Sequence, residues 1–316
     1  MSYLEDLNRT YPVRRTEKEK TAFRAYIRKV FPDAKIETTG DGKNRNIVIG
    51  DPFMAKVVCT AHYDTPAASL FPNIMIPRNQ VLFYLYQFAP IILMLAAALG
   101  GGYLISLQFA RPDEPDFVRI FLLLYLAIYY GLFFLMYRTF KNPHNCNDNT
   151  SGVAAILSMI DALSVRQRQE VAFILFDNEE KGKKGSKAFF KDHETEMKSK
   201  FLVNFDCVAN GENVIFIAMK GAEARGEYAA LQEAFGDDDV FSTYFYPMKG
   251  SQSNSDYKNF PCGVGCMACK RTKSGVLYTP RIHTPRDTIA NEKNISFIAR
   301  RMQRFFDAVL QPAGDE

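Results

Sequence analysis

The chain has two hydrophobic textures. Outside residues 80–140, short apolar runs alternate with polar turns and with stretches of helical spacing. Residues 16–31 carry Phe23, Tyr26, Ile27 and Val30 among many charges, which predicts an amphipathic helix with Thr16 and Glu19 as its capping box. Short strands are expected at 36–38 and 46–49 around the turn Gly40-Asp41-Gly42, and a third at 55–61 that enters His62-Tyr63-Asp64. A buried helix at 153–163 precedes the run Val171 to Phe176, which leads into Asp177-Asn178-Glu179-Glu180-Lys181-Gly182. Further strands read at 201–207, 214–219, 241–246 and 263–270, with helices at 187–193, 226–235 and about 295–310. This alternation predicts an α/β fold, a mixed and mostly parallel sheet covered by helices on both faces.

Residues 81–110 break the pattern, with only Gln87 and Gln108 strongly polar and no charge, and 117–137 are apolar again apart from Arg119. Each run meets the roughly 20 residues needed to cross a bilayer as a helix, and only Arg111-Pro112-Asp113-Glu114-Pro115-Asp116 separates them. A transmembrane hairpin is expected, a buried core hairpin being the alternative. It divides the chain into a main domain, 1–79 with 141–316, and an insertion, 80–140. Ala96, Ala97 and Ala98 stand four residues before Gly100, Gly101 and Gly102, which allows close helix contact. Aromatic residues crowd the ends as interfacial anchors. Arg78, Arg138 and Lys141 flank the hairpin on the main-domain side, against Arg111 and Arg119 at the turn, so the positive-inside rule leans toward a cytoplasmic main domain and a cell-membrane location.

Composition narrows the classes. The 316 residues are 47% hydrophobic, enough for a sizeable core, and the net charge of +4 spreads without a polybasic arm, so no nucleic-acid partner is expected. The six cysteines, among them Cys262, Cys266 and Cys269, lie mostly in apolar strands and read as reduced, buried thiols rather than a disulfide framework or a separate metal site. Residues 1–15 contain no apolar signal-peptide core. Two spans with no internal repeat and no ionisable midplane residue give little support to a transporter.

In open α/β sheets the ligand site lies beyond the carboxyl ends of the strands. A lone Glu-Glu pair there is most often an ordinary acidic loop, but strand ends elsewhere repeat the pattern. His62 closes one strand with Asp64 two residues on, Asp148 sits in the polar run before the buried helix, Asp206 ends another strand, and His283 opens the approach to the last helix. Two imidazoles and three carboxylates (His62, Asp148, Glu180, Asp206, His283) suit zinc or a similar divalent ion, and one bridging carboxylate would let five residues serve two ions. Glu179 and Asp64 stand beside this set.

The ordered residues His62-Tyr63-Asp64, Asp148-Asn149-Thr150-Ser151-Gly152, Glu179-Glu180-Lys181-Gly182 with Gly185-Ser186, Asp206, Ser255-Asp256 with Phe260, and His283-Thr284 with Asp287-Thr288 resemble the M28 family of co-catalytic zinc metallopeptidases. The resemblance spans nearly the whole chain outside the hairpin. It implies that Asp148 bridges two zinc ions, one also held by His62 and Asp206 and the other by Glu180 and His283. It further implies that Glu179 is the general base, that Asp64 orients His62, and that the Asp148–Asn149 peptide is cis. The hairpin departs from the family's soluble members, and an additional donor beside the metals is not evident, Tyr278 being a weak candidate. The expected activity is hydrolysis of a peptide or small amide substrate by a membrane-anchored aminopeptidase. Alternatives are a metal-dependent deacylase or cyclase on a lipid-linked or small amide, and a non-catalytic membrane binding module.

Overall fold

The computed structural model describes residues 2–71, 73–136, 138–236 and 238–310; Tyr137, the end of the second apolar run, lies outside them. The strands are β1 (Lys35–Thr39), β2 (Asn44–Ile49), β3 (Val57–His62), β4 (Asn73–Met75), β5 (Val171–Phe176), β6 (Phe201–Phe205), β7 (Asn213–Ala218), β8 (Ser242–Pro247), β9 (Gly263–Arg271) and β10 (Leu277–Ile282). They form one 10-stranded sheet in the order β1-β2-β5-β3-β6-β9-β10-β4, with β7 and then β8 branching from β9. Its centre is parallel, β5 to β3 to β6 to β9, and antiparallel pairings flank it at β1–β2, β2–β5, β9–β10 and β10–β4. The register sets His62 opposite Phe176. The loops carrying Glu179, Glu180 and Asp206 therefore leave the sheet beside His62, at one carboxyl edge.

Helices α1 (Tyr3–Thr10), α2 (Glu17–Val30) and α5 (Gly152–Ala162) share one apolar cluster with the C-terminal helix Glu292–Val309, built on Phe23, Val57, Cys59, Ile156, Val203, Phe305 and their neighbours. The other face of the sheet holds a smaller cluster in which Phe176 meets Phe189, from the helix Lys184–Asp192, and stacks on Phe260. The capping box of α2 is formed: the Thr16 hydroxyl accepts the Glu19 N–H, and the Glu19 carboxylate accepts the Thr16 N–H. On its inner face Lys20 donates to buried Asp177 at 2.6 Å and to Asn178 at 2.9 Å. This fixes the chain directly before Glu179.

The two apolar runs are the long helices α3 (Gln80–Ser106) and α4 (Pro115–Met136), both long and apolar enough to cross a membrane. They pack on each other through a stripe on α3 at Met94, Ala98, Gly102 and Ser106. A Cβ on Gly102 would stand 3.1 Å from the backbone nitrogen of Tyr125, so a larger residue forces the helices apart. Their other faces are bare: Leu85 is 62%, Leu93 66%, Leu123 69% and Phe134 72% exposed.

Several elements lie outside the sequence expectations, including α1, β4 and β10. Helix α1 is short, β4 spans three residues, and β10 contains Pro280 and Arg281, residues that weaken a strand pattern. Strand β10 delivers His283, and β4 covers its outer edge.

Candidate metal centre

The side chains converge around Asp148. One of its oxygens, Oδ1, faces His62 Nε2 at 3.5 Å, and the other, Oδ2, faces His283 Nε2 at 3.1 Å. His62 Nε2 also lies 3.6 Å from Asp206 Oδ1, and His283 Nε2 lies 3.4 Å from Glu180 Oε2. Two sets of donor atoms result, His62 with Asp148 and Asp206, and His283 with Asp148 and Glu180, each gathered within 4.8 Å. Glu179 falls in a third such set with His62 and Glu180. All seven residues singled out in the sequence meet in this one region. Two donors bound to the same tetrahedral zinc at about 2.0–2.1 Å stand about 3.3 Å apart, and the observed separations cluster around that value.

Backbone features aim these side chains. Asn178 before Glu179, Cys207 after Asp206, and His283 itself adopt left-handed backbone with φ of 54°, 58° and 58°, turning the chain sharply at the strand ends. The peptide between Asp148 and Asn149 is cis. The Asn149 amide nitrogen donates to the Phe205 carbonyl at 3.0 Å, and its Oδ1 accepts from Gly152 N–H at 2.9 Å and Cys207 N–H at 3.2 Å. Asn147 and Ser151 accept from Ala209 and Val208 N–H groups, so the loops bearing Asp148 and Asp206 are knitted together. Gly152 is required there, since a Cβ would meet the Phe205 carbonyl oxygen at 2.2 Å.

His62 Nδ1–H donates to the Asp64 backbone carbonyl at 3.0 Å, which leaves Nε2 unprotonated toward Asp148 and Asp206 in the neutral ring. The Asp64 carboxylate is farther from Nδ1, at 3.6 Å. Its two oxygens accept instead from the N–H groups of Glu179 at 3.0 Å and Glu180 at 3.2 Å. One residue thus sets both the imidazole of β3 and the acidic loop of β5.

Three residues with no role in the sequence reading also support the site. Arg14, fully buried over the Phe23 ring, donates to the Tyr63 carbonyl at 2.5 Å, to the Tyr11 carbonyl at 2.6 Å and to Thr150 Oγ1 at 3.1 Å. Asp287 accepts the backbone N–H groups of Asn147 and Asp148. Asp256, wholly buried, accepts from Ser186 at 2.5 Å. No periodicity marks a buried arginine before a helix, and the two aspartates were legible only as parts of a motif. Tyr278 does not line the central cavity of about 290 Å³, whereas its neighbour Thr279 does. All six cysteines are free, five of them buried.

The electrostatics are those of an acid cluster short of cations. Burial raises Glu179 and Glu180 well above the usual carboxylate range, and each is pushed further by neighbouring acids. Burial likewise raises Asp256 to about 7 and Asp287 to about 7. Burial lowers the imidazole of His283, but Glu180 and Asp148 outweigh it and bring it up to about 9. Burial also opposes charge on Asp148, yet His283 and His62 hold it below its ordinary value. Glu180 Oε1 is buried without a hydrogen-bond partner.

Fold and site together define a hydrolase of the zinc-dependent exopeptidase class. The sequence model of Peptidase family M28 matches residues 139–309, more than half of the chain, and the protein belongs to that family. Zinc is the metal this family implies. The structure is similar to the Legionella pneumophila LapA aminopeptidase, with a TM-score of 0.54 and 14% identity over 96% of this chain and 67% of that one. It is similar to a Zn-dependent exopeptidase from Parabacteroides distasonis, with a TM-score of 0.52 and 14% identity over 96% and 95% of the two chains. It is also similar to Porphyromonas gingivalis glutaminyl cyclase, with a TM-score of 0.51 and 13% identity over 97% of each. Among curated proteins none matches this sequence.

Proposed function

We propose that the protein is a membrane-anchored di-zinc aminopeptidase. The observation that carries this reading is Asp148, whose two oxygens face two different histidines at 3.5 and 3.1 Å. The donor set fits zinc: imidazole nitrogens and carboxylate oxygens, ligand-like spacings, and a buried Glu180 oxygen that lacks a partner. His62 and Asp206 would hold one ion, Glu180 and His283 the other, with Asp148 shared between them. Bound zinc supplies Lewis acidity, bringing the pKa of a water toward neutrality and polarising a carbonyl.

The protein's own groups do the rest. Glu179 takes the proton of the attacking water on its carboxylate and hands it to the leaving amine nitrogen. Its carboxylate is gathered within 4.8 Å of His62 and Glu180, beside the place where the water would be held. Asp64 keeps Glu179 and Glu180 in place through their N–H groups. The same residues suit a cyclase or deacylase, a second reading favoured by the likeness to a glutaminyl cyclase over 97% of both chains.

In this reading residues 80–140 form a transmembrane hairpin inserted into a catalytic domain made of 1–79 and 141–316, and the catalytic domain faces the cytoplasm. The exposed apolar faces of α3 and α4 support burial in lipid rather than in a protein core. The test is hydrolysis of matched peptides with free and blocked N-termini, by the wild type and by Glu179→Gln. Release of the first residue from free peptides alone, lost by a factor of about 10²–10⁴ in the variant, is expected. Cleavage of blocked substrates only, or full activity in the variant, removes the aminopeptidase assignment or Glu179's role respectively.

A further inference from the structure

The metal-site cavity does not end at the metals. It opens into a groove of about 510 Å³ that shares Asn73, Met75, Asn254 and His283 with it. The far wall of this groove is the first apolar helix. Phe83, Tyr86, Gln87 and Pro90 line it at a spacing of i, i+3, i+4 and i+7, one face of α3 over about 10 Å of its rise. The inner cavity, about 290 Å³, is at the bottom of the range of small-ligand sites, roughly 300–1,000 Å³. A substrate longer than this cavity can continue into the groove along α3.

Two features of the groove match a peptide rather than a hydrocarbon chain. Its wall carries three carboxamides, Asn73, Gln87 and Asn254, between the apolar side chains. Carboxamides donate and accept as backbone amides do, and a bare acyl chain offers them nothing. Strand β4, which lines both cavities, ends the sheet, and no strand lies on its outer edge among the described residues. Such an edge can pair with an extended peptide by strand addition. Phe71, a groove residue, is itself exposed, and the same first turns of α3 expose Val81, Leu82 and Leu85 at the base of the hairpin. An occupant that is apolar as well as peptidic is thereby indicated.

We propose that the substrates are apolar peptides held at the bilayer surface, with the N-terminal residue in the metal-site cavity and the following residues extended between β4 and α3. This rests on the aminopeptidase reading above and adds the class of peptide. The hairpin then acts as one wall of the substrate site as well as an anchor, and the reaction that supplies the substrate is one that releases apolar segments with free N-termini at a membrane.

The experiment uses the full chain with zinc in lipid nanodiscs. Three substrates share their first two residues: a dipeptide amide, a heptapeptide continued by polar residues, and one continued by apolar residues. We expect kcat/KM for the apolar heptapeptide to exceed that for the polar one by at least about tenfold, and Phe83→Glu to erase that ratio. Binding is read separately, because the chain contains no tryptophan. Phe83→Trp places a single indole in the groove, and Leu93→Trp, 66% exposed in the native residue, serves as the lipid-facing control. An apolar peptide with a C-terminal quencher should quench the groove indole saturably and more than the lipid-facing one. Equal quenching in the two variants overturns the proposal, as does a heptapeptide ratio near one. Selective quenching without hydrolysis of any peptide leaves the groove assignment standing and removes the aminopeptidase reading, whereas dipeptide hydrolysis without selective quenching does the reverse.

Discussion

Asp287 Oδ2 accepts the backbone N–H of Asp148 at 2.9 Å, and the same carboxylate accepts that of Asn147 at 3.0 Å. The Asp287 carbonyl in turn accepts the Cys146 N–H at 3.0 Å. The loop carrying Asp148 is thus held by a residue that follows His283 by four positions, which ties the two metal-site loops together. Removing the carboxylate strands two buried N–H groups and loosens Asp148. Asp287→Ala is expected to weaken zinc affinity by about 10–100-fold, measured by chelator competition, with Asp287→Asn recovering part of the loss. Unchanged affinity in the alanine variant would leave Asp287 with no part in positioning Asp148.

Lys20 and Asp177 form an ion pair at 2.6 Å with both side chains almost completely buried. Asp177 also accepts the Arg45 N–H at 3.0 Å, which ties the end of β5 to β2. Lys20→Met leaves a buried carboxylate without its cation and should lower stability by about 3–5 kcal/mol. Denaturant unfolding of the detergent-solubilised chain, monitored by far-UV circular dichroism, gives the value. A loss under about 1 kcal/mol would show that water reaches the Asp177 carboxylate and that the pair is not sealed in the core.

Zinc uptake should release protons. In the metal-free protein His283 is pushed up to about 9, so its imidazole is largely protonated at pH 7, and a metal ligand must be neutral. Affinity for zinc is therefore expected to rise with pH from 6 toward 9. Calorimetry in two buffers of different ionisation enthalpy measures the proton count. Zero protons released at pH 7 would mean that His283 is already neutral or stays outside the metal shell.

If the hairpin spans the membrane with the catalytic domain inside the cell, the turn at 111–114 is the part of the chain that faces outward. A cysteine placed by Asp113→Cys, an exposed position, should react with a membrane-impermeant maleimide in intact cells, while one placed by Lys187→Cys on the catalytic domain should react only after lysis. The opposite labelling pattern inverts the topology, and labelling of both without lysis argues against insertion.

Much of this structure was legible in sequence because the informative signals are local. An apolar run ending in His62, another ending before Glu179 and Glu180, and a third ending before Asp206 each announce a strand whose carboxyl end carries a polar group. The hairpin announced itself by length and hydropathy. The stripe through Ala98 and Gly102 was legible as a small-residue spacing, although only the structure selects Ala98 over its two alanine neighbours as the contact.

What stayed hidden depends on distant partners. Strand β10 contains Pro280 and is held by β9 and the three residues of β4, so its local sequence does not read as a strand. Arg14 looks like one of many surface cations, yet it is 0% exposed because the Tyr63 and Tyr11 carbonyls and Thr150 surround it. Asp64 was expected to orient His62 through its carboxylate. In the structure its carbonyl makes that contact, and the carboxylate is turned to the Glu179 and Glu180 N–H groups. Spacing along a strand places a side chain near its partner without saying which of its atoms faces it.

The central claim is that two sets of donors share Asp148 around a pair of zinc ions. Metal content per chain, measured by mass spectrometry after equilibration with zinc and removal of excess, tests it most directly. Two ions per chain are expected in the wild type, one in His62→Ala, one in His283→Ala, and fewer than one in Asp148→Ala. A single ion in the wild type, lost with one histidine and indifferent to the other, would contradict the account.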